Sequence, residues 1–278
     1  MSKLDWHPLR GIDQGRLGEA RLQAHYAAQW LARTARGYIP PRPDDSHTNL
    51  GWDETLGGMT THALKNGACL GLKFSELTLV LQDGGKPAQT LQLDGCADAD
   101  ARVWLGGLMS AKGFDAKALD AASPYEMPAH AIATGARYTH KALADALGEL
   151  AAWYANANGA LGGLQKELAA RKLDAPVVRC WPHHFDLDTL ISLGNDRSVG
   201  VGFSPGDEYY HEPYFYISVY PEPDAAALAS LPAIGHWHKQ DFTAAVATAG
   251  KIVKAADQKA ETGAFLRAAV ECALKALR

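Results

Sequence analysis

The sequence has 278 residues, of which 47% are hydrophobic and 21% are charged, and its formal net charge at pH 7 is −4. These values are typical of a globular chain that can bury a sizeable core. Because no basic run and no long apolar stretch occurs, we expect neither a nucleic-acid partner nor a membrane partner. The N-terminus lacks the apolar core of a signal peptide and the four cysteines are widely spaced, which predicts free thiols and a cytoplasmic protein.

The first half of the chain predicts one long helix followed by β-structure. Regularly spaced Leu and Ala residues predict an amphipathic helix from about 15 to 37, and the proline-rich segment 39–45 is expected to end it. Alternating leucines and an Asp-Gly-Gly turn then predict a β-hairpin over 69–94. A short helix is expected near 98–111.

The next segments bear on domain organisation. Leucines at alternating spacings of three and four predict a helix over 140–172. We expect a single domain, 1–278; if the chain divides, it divides in the irregular segment before that helix, into lobes 1–123 and 139–278.

A meander of strands is predicted next. Strands are expected over 186–193, 198–203 and 213–220, separated by Gly-Asn-Asp-Arg and Ser-Pro-Gly-Asp turns. Gly200 and Gly202 leave one face of the middle strand bare, and the bulky rings of the neighbouring strand could cover it. Terminal helices are predicted over 241–256 and 259–277.

These elements predict an α+β fold. We expect an antiparallel β-sheet, formed by the meander 176–220 and the hairpin 69–94, packed against the long helix and the terminal helices.

The meander also predicts where polar side chains gather. A hairpin centred on Asn195 and Asp196 would place His184 roughly opposite Asp207, and the connection that follows returns to the same end of the sheet. The polar side chains expected on this rim are His183, His184, Asp186, Asp207, Glu208, His211 and Glu212.

Imidazoles and carboxylates together can bind a metal ion or transfer protons, although the spacing here matches no established metal motif. The candidate catalytic residues are His184, Asp186, Asp207 and Glu208. The candidate ligands of a divalent metal are His184, His211 and Glu212. The candidate lining residues are Trp181, Tyr209, Tyr210, Tyr214 and His25.

Three neighbouring features have a simpler interpretation. A polar loop rim is ordinary, and Asp–His pairs often only hold a turn together. His236-Trp237-His238 would share a face if extended, but a surface turn is favoured. Arg21 and His25 could reach the rim, but exposure to solvent is favoured.

One familiar pattern is rejected. Gly202-Phe203-Ser204-Pro205-Gly206 fits the G-x-S-x-G pattern of hydrolases, whose serine must precede a helix. Here a strand follows, and Pro205 lacks the N–H group that an oxyanion hole requires. A serine hydrolase is therefore not expected.

Two segments resemble an uncharacterised bacterial family. They are Trp181-Pro182-His183-His184-Phe185-Asp186 and Ser204-Pro205-Gly206-Asp207-Glu208, the latter followed by Glu212-Pro213-Tyr214. In the family pattern the second histidine is the regular one, which favours His184 over His183 as a site residue. The family has no established activity, so the resemblance implies no reaction.

The N-terminal half resembles a related group of unknown function more loosely. The residues that carry this second resemblance are His25, Gln29, Trp52, Gly58-Met59-Thr60-Thr61, Phe74 and Leu77.

Two functional hypotheses follow. The first is an enzyme, or a former enzyme, that acts on a small molecule at the rim, with metal-assisted hydrolysis as its most concrete form. The second is a non-catalytic module that binds a small ligand or a protein partner through its aromatic residues. The sequence does not indicate an oligomeric state.

Overall fold

A computed structural model describes residues 6–224 and 228–277. The chain forms two compact units. The N-terminal unit comprises Gly15–Ala151 and Cys180–Phe185, and the C-terminal unit comprises Met1–Gln14, Ala152–Arg179 and Asp186–Arg278. The prediction of a single domain, and of a division between 123 and 139, stays a prediction.

Helix α1 (Gln14–Tyr38) confirms the first predicted helix. Its predicted Leu and Ala stripe is buried, and Pro40 and Pro41 follow the helix, where their rings prevent another helical turn. His25 is also buried, so the expectation that it faces solvent is wrong; Gln29, one turn further along the helix, is buried as well. Their contacts are described with the candidate site below.

The N-terminal unit contains a five-stranded antiparallel sheet in the order β1-β2-β3-β4-β5. The predicted hairpin is confirmed, because β4 pairs with β5 and positive φ angles at Gly84 and Gly85 form its turn. Helix α2 (Asp98–Ala111) confirms the short helix. The strands are β1 (Gly51–Asp53), β2 (Gly58–Thr60), β3 (Cys69–Lys73), β4 (Thr78–Asp83) and β5 (Lys86–Gln92).

A second antiparallel sheet has six strands in the order β10-β11-β9-β8-β7-β6. It contains the predicted meander, whose three strands are confirmed as β7, β8 and β9. The strands are β6 (Arg179–Trp181), β7 (Asp186–Gly194), β8 (Arg197–Ser204), β9 (Tyr214–Tyr220), β10 (His236–His238) and β11 (Ala244–Thr248).

The bare face of β8 is covered as predicted. A Cβ atom added at Gly202 would lie 2.3 Å from Cζ of Tyr216, and one added at Gly200 would lie 2.4 Å from Oγ of Ser218. Both separations are below van der Waals contact, so a larger residue at either position would require the neighbouring side chain to shift. Gly202 thus leaves the space that the Tyr216 ring occupies.

The predicted helix over 241–256 is wrong. Residues Ala244–Thr248 form strand β11, which pairs with β9 on one side and with β10 on the other. All five of its residues are buried. A strand buried on both faces has no polar–apolar alternation, so its apolar run cannot be distinguished from a buried helix by periodicity. Helix α4 (Ala249–Ile252) is a single short turn that follows it.

The two remaining helices were predicted. Helix α3 (Ala144–Ala170) follows a 3-10 turn at Lys141–Leu143, and α5 (Gln258–Ala276) closes the chain. Asp257 caps α5 by accepting a hydrogen bond from the N–H of Ala260. In the part of the chain that the structure describes, five α-helices and two antiparallel sheets confirm the α+β class, and the predicted hairpin and meander lie in different sheets.

The helices were also compared with the length and apolarity that a bilayer requires. Across 6–224 and 228–277, none of them is long and apolar enough to cross a membrane.

Candidate functional site

The loop between β8 and β9 is organised by Asp207. Its Oδ1 accepts hydrogen bonds from the N–H groups of Tyr209 at 2.9 Å and Tyr210 at 3.0 Å, and its Oδ2 accepts one from the Tyr214 hydroxyl. Gly206, with φ of +112°, lets the chain turn before it, in agreement with the predicted Ser-Pro-Gly-Asp turn. Asp207 therefore holds the loop in place and also brings a carboxylate to the end of β9.

Two tyrosines of β9 donate to two predicted site carboxylates. Tyr214 donates to Asp207, and Tyr216 donates to Oδ2 of Asp186 at 2.6 Å. The two side chains share a face because they are two residues apart on a strand, and their ring centroids are 6.0 Å apart. The structure thus brings Asp186 and Asp207 to neighbouring tyrosine hydroxyls within the C-terminal unit.

Both phenols stay protonated at neutral pH. Burial, followed by the hydrogen bond to Asp207, raises the pKa of Tyr214. Burial and the charges of Asp186 and Asp188 raise the pKa of Tyr216 well above its usual value. An ionised phenol beside a carboxylate would place two negative charges together, so these hydroxyls act as donors.

A third tyrosine links two histidines. The Tyr210 hydroxyl lies 2.9 Å from Nε2 of His236 and 2.9 Å from Nδ1 of His238. Nε2 of His238 lies 2.6 Å from the carbonyl oxygen of Gln240, and since a carbonyl only accepts, Nε2 carries the hydrogen.

This assignment fixes the direction of the other bonds when both rings are neutral. Nδ1 of His238 accepts from the Tyr210 hydroxyl, which in turn accepts from Nε2–H of His236. Partial burial, then His238 and Lys251, lowers the pKa of His236, which favours its neutral form at pH 7. The result is a His–Tyr–His chain that can pass a proton along three groups.

The sequence prediction underestimated this histidine pair. His236 and His238 were expected in a surface turn, but they lie on β10, where both rings project to the same side and meet Tyr210. The H-x-H spacing could have indicated this arrangement, because two histidines two residues apart lie on the same face of a strand. We call the residues Asp186, Asp207, Tyr210, Tyr214, Tyr216, His236 and His238 the tyrosine cluster.

Further rings lie beside the cluster. Tyr209 is 5.0 Å from Phe242 and 5.6 Å from His238, measured between ring centroids, and His238 is 4.4 Å from Phe242. Tyr209 is 41% exposed. Tyr209, Tyr210 and Tyr214 were all predicted as lining residues, and Phe242 was not, because its segment was taken for a helix.

The other predicted rim residues of this unit have different surroundings. Glu208 and His211 are exposed. Glu212 accepts a hydrogen bond from the N–H of Gly250 in the first turn of α4, so it fastens that turn to the loop.

The predicted histidines His183 and His184 lie in a turn of the N-terminal unit. Their rings are 4.4 Å apart, with His183 half-buried and 6.2 Å from Trp181, and His184 exposed. The β7–β8 ladder ends at the pair Leu187 and Phe203, so strand pairing does not extend to place His184 opposite Asp207. The reason is local: Phe185 has φ of +63°, which turns the chain out of the strand direction.

That turn is held by buried side chains of α1. Nε2 of His25 donates to the carbonyl oxygen of Pro182 at 2.8 Å, and Nε2 of Gln29 donates to the same oxygen at 2.9 Å. Tyr125 donates to Oε1 of Gln29 at 2.8 Å. The Phe185 ring stacks on His25 with centroids 4.8 Å apart. His25 therefore supports the segment that carries His183 and His184.

Burial sets the protonation of His25. Desolvation lowers its pKa to about 4, and the positive charge of Arg21 acts in the same direction. The hydrogen bond to Pro182 raises the pKa, but by less than burial lowers it. His25 is therefore neutral at pH 7, and the tautomer that donates from Nε2 leaves Nδ1 with a lone pair.

The predicted metal ligands do not form a recognisable centre. In the described part of the chain, no three His, Cys, Asp or Glu side chains gather so that they could hold a metal ion. The three predicted ligands, His184, His211 and Glu212, therefore do not gather into such a group. Glu212 is instead engaged by the backbone of Gly250.

Comparison with known proteins gives one match. No curated protein and no solved structure matches the chain. The resemblance noted above for 181–186 lies outside the matched segment, whereas the Ser-Pro-Gly-Asp and Glu-Pro-Tyr segments lie inside it. Residues 195–277, which include Asp207, Tyr214 and His236, match the model of a family of unknown function, DUF5996.

Proposed function

We propose that this protein binds a small organic cation, such as a primary amine, at the tyrosine cluster. The proposal rests on the Asp207 carboxylate, which is hydrogen-bonded but has no cationic partner in the described part of the chain. This carboxylate accepts hydrogen bonds from the backbone N–H of Tyr210 and from the hydroxyl of Tyr214, and within residues 6–224 and 228–277 it forms no ion pair with a Lys or Arg side chain. A carboxylate beside aromatic rings is an environment that stabilises an ammonium group.

The protonated phenols support the same ligand class. Tyr214 and Tyr216 remain neutral at physiological pH, so they do not change the charge of the cluster. Their hydrogen bonds occupy one side of each carboxylate, and a carboxylate oxygen can accept a further hydrogen bond from an ammonium group. A charge-assisted bond of this kind is about twice as strong as a neutral one.

An enzymatic form of this function would use the His–Tyr–His chain. Tyr210 connects His236 and His238 by hydrogen bonds of 2.9 Å, so a proton accepted by one ring can be returned by the other. A non-catalytic form would use the same residues for binding alone. Cation binding is common to both forms and is tested first.

Metal-assisted hydrolysis, the most concrete form predicted from the sequence, is not the version we propose. It needs about three protein ligands around one ion. The residues that the structure describes contain no such group, and the arrangement around Asp207 is instead explained by hydrogen bonds. Metal analysis of the purified protein, with His184→Ala and His211→Ala variants, tests the metal form separately.

Cation binding is tested by ligand-observed NMR with three probes of similar shape, namely n-butylammonium, n-butanol and butyrate. We expect saturable binding of butylammonium only, because the alcohol lacks the charge and butyrate is repelled by Asp207. The Asp207→Asn variant should bind butylammonium about tenfold more weakly, the loss expected for one charge-assisted hydrogen bond.

The Asp207→Asn variant is expected to fold, because the amide oxygen of asparagine can still accept the N–H groups of Tyr209 and Tyr210. Glu208→Gln, which removes an exposed charge from the same loop, serves as the control and should change the affinity by less than about twofold. Equal binding of butanol and butylammonium, or an unchanged affinity in Asp207→Asn, would overturn the proposal.

A further inference from the structure

A cavity lies in the C-terminal unit, and its lining residues do not belong to the tyrosine cluster. Its volume is about 400 Å³, which is within the range of small-molecule sites. It lies beside the turn between β7 and β8 and the end of α5. Its lining residues are Arg171, Leu173, Leu193, Arg197, Leu274 and Leu277.

The guanidinium group of Arg197 has an unsatisfied donor. Nη1 donates to the carbonyl oxygen of Leu277 at 2.8 Å, which fixes the side chain at the end of α5. Nε is buried and has no hydrogen-bond partner among the residues that the structure describes. A buried donor without an acceptor destabilises the folded state and calls for a missing partner. An acceptor that reached the Nε–H group from the cavity would supply that partner.

A second cation lies in the same lining. Arg171 forms an ion pair with Glu271, and its side chain is 46% exposed. Glu271 pairs with Arg171, whereas Arg197 forms no ion pair with an Asp or Glu side chain among the residues that the structure describes. A carboxylate ligand would balance the remaining charge, and the planar guanidinium fork matches its two oxygens. The partial negative charge at the end of α5 opposes an anion, but Arg197 already donates to a carbonyl there.

The rest of the lining is aliphatic. Leu274 and Leu277 are each 8% exposed, and Leu173 and Leu193 are half-buried. A hydrated inorganic anion would leave these side chains in contact with water. An alkyl chain would cover them, which is favourable because it removes apolar surface from water.

We propose that this cavity binds a small amphiphilic carboxylate, with its oxygens on Arg197 and Arg171 and its alkyl chain against the four leucines. The ligand class follows from two arginines with one unsatisfied N–H donor, set in a wall of leucine side chains. This site is independent of the proposed cation site.

Isothermal titration calorimetry of the full chain with octanoate tests the site, with 1-octanol and octylammonium as comparison probes. We expect octanoate to bind at one site per chain, and octanol and octylammonium to bind at least about tenfold more weakly, since neither can accept two charge-assisted hydrogen bonds. Arg197→Gln and Arg197→Lys should each weaken octanoate binding at least about tenfold, because lysine keeps the charge but lacks the guanidinium fork.

Arg267→Gln is the matched control, because Arg267 is an exposed arginine of α5 that pairs with Glu167 and does not line the cavity. It should leave the affinity within about twofold. Leu193→Glu gives a second variant if Arg197→Gln does not fold: Leu193 is half-buried at the strand end, and a carboxylate there should repel octanoate. The proposal fails if octanoate does not bind saturably, if octanol binds as tightly, or if the variants that fold bind octanoate as well as the wild type.

Discussion

At the residue scale, Asp207 shows how one side chain serves both structure and site. It accepts two backbone hydrogen bonds from its own loop and one from Tyr214. The backbone bonds follow from sequence, because an Asp after a Pro-Gly turn commonly caps the following N–H groups. The bond to Tyr214 forms only after the chain has turned into β9, so the spacing of the residues alone does not predict it.

Replacing Tyr214 by Phe should therefore lower stability. The variant removes the hydroxyl donor and leaves one oxygen of a half-buried carboxylate without that partner, which should cost about 1–2 kcal/mol in the free energy of unfolding. Tyr220→Phe is the control, because Tyr220 lies on the same strand and is 63% exposed. Urea denaturation followed by tryptophan fluorescence measures both changes. Equal stability losses in the two variants would contradict the assigned role.

His25 marks the limit of sequence reasoning at this scale. It was expected to face solvent because polar residues on an amphipathic helix are usually exposed. The structure buries His25 and Gln29 because both donate to the Pro182 carbonyl, an acceptor more than 150 positions away in the chain. Partners this distant are set by tertiary structure, so helical periodicity cannot identify them.

At the element scale, the β7–β8 hairpin was predicted from its local sequence, but strand β11, which depends on distant strands, was not. The β7–β8 hairpin was predicted because Gly-Asn-Asp-Arg contains the residues that its turn requires, and Asn195 and Asp196 have φ angles of 52° and 55°. Strand β11 was missed because its buried alanines carry no periodic signal, and its strand identity depends on β9 and β10 on either side.

The hairpin turn can be tested by changing Asn195. Valine is β-branched and strongly disfavours positive φ, so Asn195→Val should destabilise the protein by about 1–2 kcal/mol. Asn195→Gly keeps the required conformation and should leave stability nearly unchanged. Thermal unfolding followed by circular dichroism compares the three proteins. If Asn195→Val unfolds at the same temperature as Asn195→Gly, the left-handed turn is not the conformation that this hairpin uses.

At the scale of the whole molecule, the predicted α+β class is confirmed. Helices and antiparallel strands in this order indicated α+β, and both sheets are antiparallel. The two compact units are each assembled from separate stretches of chain. The segment Cys180–Phe185 belongs to the N-terminal unit, and the residue that follows it belongs to the C-terminal unit. The predicted rim is therefore divided: His183 and His184 belong to the N-terminal unit, and the rim residues from Asp186 onwards belong to the C-terminal unit.

The buried histidine of the N-terminal unit makes stability depend on pH. The pKa of His25 is about 4 in the folded protein and 6.5 for an unperturbed side chain. Between these values the unfolded chain binds a proton that the folded chain does not, so stability falls as the pH decreases from 6.5 towards 4. Between pH 7 and pH 5 the loss attributable to His25 should be about 2 kcal/mol.

The contribution of His25 can be separated from that of other titrating groups by comparing two variants. His25→Gln keeps a neutral side chain with an N–H donor for the Pro182 carbonyl, and it should lose about 2 kcal/mol less than the wild type between pH 7 and pH 5. His211→Gln, which removes an exposed histidine, should keep the pH dependence of the wild type. The free energy of unfolding in urea, measured at both pH values, gives the comparison. If His25→Gln lost as much stability as the wild type, the His25 ring would have to be protonated in the folded protein, and its burial against Phe185 could not be as described.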